Sequence, residues 1–207
     1  MRRLIAVAAA LALVSGLAVA AVTASPAEAA VPTLRTTLSS CKVFPKDNPW
    51  NKDISKAKVH AKSAKWVASI GKTKKLHPDF GTFWEGKPIG IPYVTVTNST
   101  PKVPVKFTYK SESDKGPYPI PKNAPIEGGK KSKGDRHVIV INTSTCKLYE
   151  LYAAYPVDGG KSWKAGSGAI FDLKSNKLRP KYWTSADAAG LPIFPGLVRY
   201  DEVKAGK

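Results

Sequence analysis

Two of the three histidines in this 207-residue chain stand two positions from an aspartate, in opposite order: His77-Pro78-Asp79 and Asp135-Arg136-His137. In extended backbone, residues i and i+2 point to the same side, so Asp135 and His137 can converge on one spot. If the two segments met, two imidazoles and two carboxylates could hold a divalent metal ion and activate a water. Without a metal, one His–Asp pair could serve as an oriented general base. The structural alternative is that both aspartates cap turns and His137 closes the end of a strand.

Other residues offer weaker chemistry. Glu85, Glu127, Asp172 and Asp187 are carboxylates in a chain with 15 acidic against 33 basic residues. Two of them could supply the acid and the nucleophile or base of a glycoside hydrolase, but no spacing selects the pair. Gly166-Ser167-Gly168 lacks the fuller elbow pattern around a nucleophilic serine. Five tryptophans and eight tyrosines are present, and exposed aromatic rings stack on the C–H faces of sugars. Trp84 and Trp183 fall in loops and are the substrate-binding candidates, whereas Trp66 is assigned to the core.

The formal net charge is +18, and the excess is nearly all lysine. Past residue 30 the arginines are Arg35, Arg136, Arg179 and Arg199. Readers of nucleic acid lean on the planar fork of arginine, so specific nucleic-acid recognition is not expected. A lysine surface suits an anionic polysaccharide or cell envelope instead.

The N-terminus points to export. Met1-Arg2-Arg3 precedes an apolar stretch from Leu4 to Val22, and Ala27-Glu28-Ala29 is a small-x-small cleavage site. This order predicts a secretory signal over residues 1–30, a flexible leader over 31–40 and a single domain over 41–207. The protein is then secreted, with no transmembrane segment after cleavage. In that compartment the lone pair Cys41 and Cys146 is expected to form a disulfide.

The elements that must position these groups read as mainly β. Tyr93 to Thr97 and Val103 to Tyr109 alternate and are joined by Asn98-Ser99-Thr100-Pro101, which predicts a hairpin. His137 to Ile141 and Cys146 to Tyr152 predict two further strands, and Trp163 to Leu173 another. A helix is expected over 62–72, with Trp66, Val67 and Ile70 on its core face and Gly71 closing it. Thr184 to Gly190 reads as one helical turn. Long Pro/Gly-rich loops cover 77–92 and 110–134. The expected fold is a single-domain antiparallel β-sandwich or barrel with one or two short helices.

Several of these segments resemble a group of secreted proteins of actinobacteria and soil bacteria, an uncharacterised family without an established activity. The resemblance runs through Asp47-Asn48-Pro49-Trp50-Asn51, His77-Pro78-Asp79-Phe80-Gly81, Gly90-Ile91-Pro92-Tyr93-Val94 and Gly134-Asp135-Arg136-His137. It continues through Gly166-Ser167-Gly168-Ala169-Ile170-Phe171-Asp172-Leu173 to Pro195-Gly196-Leu197-Val198-Arg199-Tyr200. It implies export, one shared domain and a family length that continues past Lys207, and it implies no particular chemistry. Two functions therefore stand side by side: an extracellular enzyme acting on polysaccharide or cell-wall glycan, and a non-catalytic glycan- or envelope-binding module.

Overall fold

The computed structural model describes residues 38–75, 81, 83, 84 and 87–206. The described part is mainly β. A four-stranded sheet runs in the order β3 (Tyr93–Val96), β5 (Val138–Asn142), β6 (Lys147–Tyr152), β9 (Ser167–Asp172). A three-stranded sheet runs β4 (Val105–Phe107), β8 (Ser162–Ala165), β7 (Tyr155–Val157). A two-residue pair, β1 (Phe83–Trp84) with β2 (Lys87–Pro88), stands apart. The helices are α1 (Ser63–Ile70) and the short α2 (Tyr200–Lys204). No barrel closes among the described strands.

The sheets are mixed rather than antiparallel. β3 runs parallel to β5, and β4 runs parallel to β8. The cause lies in β5, whose five residues are all buried. A strand apolar on both faces belongs in the middle of a sheet, and it takes β3 on one edge and β6 on the other. The expected hairpin of 93–97 with 103–109 is thereby pulled apart. Pro104 removes a ladder donor from its second arm, and its carbonyl accepts instead from Trp163 N at 3.0 Å.

The segment from Trp163 to Leu173 likewise divides into β8 and β9, which belong to different sheets. Gly166 is the crossing point, donating its N–H to Tyr152 O and accepting from Tyr109 N, each at 2.8 Å. Gly168 lies where the two layers touch. A Cβ built there would sit 2.5 Å from the Phe107 ring and 2.8 Å from the Tyr118 hydroxyl. Gly168→Ala is therefore expected to cost about 1–3 kcal/mol, read as a lowered urea midpoint. An unchanged midpoint would mean that the layers can part without cost.

Two apolar clusters sit on opposite faces of the large sheet. On one face Val138, Val140, Tyr149 and Leu151 pack with Trp163 and Ala165 of the smaller sheet. On the other, Ile139, Ile141, Leu148 and Phe171 pack under Phe44 and Phe194, next to a Cys41–Cys146 disulfide. The alternation of strand side chains divides each strand between these clusters.

Two local expectations fail. The periodicity of 62–72 does form α1, but none of its residues is buried, and Trp66 is 51 % exposed. Thr184 to Gly190 forms a turn, not a helix. The Ser185 hydroxyl accepts from Asp187 N at 2.9 Å and donates to Leu191 O at 2.6 Å. These side-chain bonds compete with a helical ladder. No described helix is long and apolar enough to cross a membrane.

Candidate functional site

The end of the large sheet where β5 begins, β6 ends and β9 begins carries a polar row. His137 immediately precedes β5, Tyr152 closes β6 and Ser167 opens β9. Tyr152 is in register with Ser167, and its ring lies 5.9 Å from that of His137. One step into the sheet on the same face, Glu150 stands in register with Ile139 and Ala169. The alternation that puts Leu148 in the core also carries Glu150 and Tyr152 to that face.

This row holds down a strap formed by residues 184–194. Ser167 Oγ donates to Ser185 O at 2.6 Å. His137 Nε2 meets Ala186 O at 3.1 Å. The Glu150 carboxylate accepts from Ile193 N at 2.9 Å and from Phe194 N at 2.8 Å. Glu150 is fully buried, and loss of solvation pushes its carboxyl up to about 7, against the two backbone N–H groups and the nearby His137, which pull it down.

His137 is clamped from its other side by Glu127. Glu127 Oε2 lies 2.6 Å from Nδ1 and accepts from the His137 backbone N–H at 3.2 Å. Both ring nitrogens thus face oxygen. Which nitrogen donates depends on the tautomer of the ring. Through these contacts His137 links the strap to the turn that carries Glu127. It orients the strap and the cleft floor.

Above this row opens a cleft of about 770 Å³. Its lining brings together three carboxylates, Glu112, Asp135 and Asp187, with the rings of Tyr109 and Tyr152. No lysine or arginine stands among the described lining residues, in a chain with 33 of them. Glu112 Oε2 accepts from Thr184 N and Asp187 Oδ2 from Ala189 N, both at 3.0 Å. The exposed carboxylate of Asp135 has no partner among the described residues.

Asp135 and His137 therefore share the cleft, but the carboxylate on the imidazole is Glu127. Arg136 between them takes a left-handed turn (φ 54°), so the segment is not extended there. The Arg136 guanidinium is buried and donates to Ala154 O and to the carbonyls of Lys130 and Ser132, tying down the end of the 110–134 loop. His77 and Asp79, with Glu85 and the side chain of Trp84, lie outside the described residues. Among those described, no three of His, Cys, Asp and Glu gather closely enough to hold a metal ion. Asp172 is exposed and caps a turn through Lys174 N. Trp183 lines a neighbouring groove of about 910 Å³ with Lys110 and Lys115, under the Arg179 guanidinium. Arg179 is itself paired with Asp114.

Comparisons with protein-family models, with curated proteins and with solved structures give no match.

Sequence reasoning passed over Glu150, Tyr109 and Glu112. For Glu150 the signal was a lone carboxylate between the apolar pairs Leu148-Tyr149 and Leu151-Tyr152 of a strand. Tyr109 and Glu112 reach the cleft through the path of a loop, which leaves no periodic trace. Glu127 was among the candidate acids, but its pairing with His137 spans a Gly-rich turn.

Proposed function

We propose that the protein is an exported hydrolase of polysaccharide or cell-wall glycan, with its working groups in the Asp135 cleft. The observation that carries this reading is the concentration of three carboxylates beside two tyrosine rings in a chain otherwise dominated by lysine. Hydrolysis of a glycosidic bond needs one carboxyl to protonate the leaving oxygen and a second to direct water, or itself, to the anomeric carbon. Asp135, without a partner among the described residues, suits the group that meets water. Glu112 and Asp187, which share the cleft with it, are the candidates for the second carboxyl. Tyr109 and Tyr152 offer faces on which sugar rings can stack. Export is supported by the N-terminal pattern and the disulfide, which oxidising compartments favour.

A second reading has its own observation. Trp183 with Lys110 and Lys115 makes an aromatic face flanked by cations, the chemistry of a module that holds an anionic polysaccharide or envelope polymer without turnover. One experiment separates the two. Purified protein is incubated with a panel of bacterial, plant and fungal polysaccharides, and released oligosaccharides are read by mass spectrometry. Hydrolysis predicts products that fall at least about a hundredfold in Asp135→Asn. Absence of products, with retention on one polymer that Trp183→Ala abolishes, would replace the hydrolase with the binding module.

A further inference from the structure

The segment 52–75 is the part of the described chain least accounted for by the core. All its residues are exposed except Ser63 and Gly71, which are half-buried. It holds α1, where Trp66, Val67 and Ile70 present one apolar face, 51 %, 48 % and 69 % exposed. Ile54 and Val59, ahead of the helix, are more exposed still. The imidazole of His60 stacks on Trp66 with ring centres 4.6 Å apart, so the indole is held in place rather than free to fold back.

The same segment carries eight lysines against one carboxylate, Asp53. By helical spacing Lys62 stands beside the apolar face and Lys65 farther round from it, and Lys72, Lys74 and Lys75 follow its C-terminal end. The partner must therefore supply an apolar layer for Trp66 and Ile70 and, next to it, a broad field of negative charge. An anionic polysaccharide supplies the charge and C–H faces that could stack on Trp66, but no layer into which Val67 and Ile70 can also be buried. The apolar residues 4–22 of this chain could cover the helix but would leave seven net positive charges unmatched. A bilayer containing anionic lipid supplies both, with headgroup charge lying just outside the acyl chains.

We propose that α1 and its lysine flanks dock on an anionic lipid surface, with Trp66 and Ile70 entering the headgroup–acyl boundary. The surface is separate from the cleft and does not depend on what the cleft does. Attachment of this kind is parallel to the membrane plane and reversible, and salt weakens it.

The test uses the full chain with vesicles of roughly one-third phosphatidylglycerol in phosphatidylcholine, and with phosphatidylcholine alone. Acyl-brominated lipid quenches tryptophan that reaches the boundary, and the difference between wild type and Trp66→Phe isolates Trp66. Residues 4–22 contain no tryptophan, so their own insertion adds nothing to that difference. The Trp66 component is expected to be quenched on the anionic vesicles and not on the neutral ones. Lys62→Ser with Lys65→Ser should lower the partition of that component by roughly tenfold or more. These side chains are exposed, and unchanged circular dichroism will show the fold retained. Trp66 left unquenched on anionic vesicles, or quenched equally on neutral ones, would overturn the proposal. So would capture by an anionic polysaccharide that shields Trp66 from the vesicles.

Discussion

Replacing Cys41 and Cys146 together by serine will lower the stability of the protein by about 4–5 kcal/mol, the largest single loss expected of any pair of substitutions here. The two cysteines are 105 residues apart in the chain. Joining them removes the closure entropy of a loop that long from the unfolded ensemble, a cost that grows with the logarithm of loop length. The bond ties the 38–51 segment to the turn between β5 and β6. Other holds on that segment include Phe44, buried in the same cluster with Leu38 and Val43 against it, and the contacts of Asn176 with Asn48 at 2.8 Å and with Asp47 at 3.0 Å. Urea unfolding of the double serine variant measures the loss, and limited proteolysis should show cleavage beginning near residue 45. A loss below about 1 kcal/mol would mean that Phe44 and the asparagines hold the segment without the bridge.

Between pH 4.5 and 7 the wild-type protein will lose stability that Glu150→Gln will not lose. The carboxyl of Glu150 sits about 7 in the fold, against an ordinary value of 4.5, because full burial disfavours its charge more than its two N–H donors and His137 favour it. Its neutral form is therefore the one that fits the folded state. The stabilising contribution is complete below 4.5, falls as pH rises toward 7 and is gone above it. The height of the fall is about 3 kcal/mol, from the free energy of one pH unit. Glutamine keeps the shape and can still accept from Ile193 N or Phe194 N, but it does not titrate. Comparing the two proteins across this range removes the contribution of every other titrating group. Parallel curves would show that Glu150 is solvated or otherwise compensated in the fold. The strap that Glu150 anchors is one wall of the cleft, so its amides at 193 and 194 should exchange with solvent faster as pH rises through this interval, beyond the ordinary pH dependence of exchange.

The strands at the centre of this fold are legible in the sequence because their reasons are local. Val138 to Ile141 is an apolar β-branched run, and Lys147 to Tyr152 is rich in Leu and Tyr after a turn, so each declares its conformation without reference to the rest of the chain. The cysteine pair was legible by count. What strands pair with was not. β3 and β4 alternate as well as any hairpin, yet β3 takes the free edge of β5, a strand buried on both faces that must have neighbours on both edges, and β4 takes that of β8.

Trp66 shows the same limit from the other side. Its helical spacing is correct, but periodicity identifies an apolar face and not whether the chain has anything to set against it. The polar row at His137 is likewise a tertiary product. Asp135 and His137 are close in sequence and reach one cleft, but the imidazole takes Glu127, ten residues away, and a carbonyl 49 residues away. Sequence by itself determined the strand conformations, the charge and the covalent bridge, each set by composition or nearest neighbours. Only the tertiary structure decided strand order, which apolar face lies open and which acids share a cleft, since those depend on chain paths that contact across many residues and leave no local pattern.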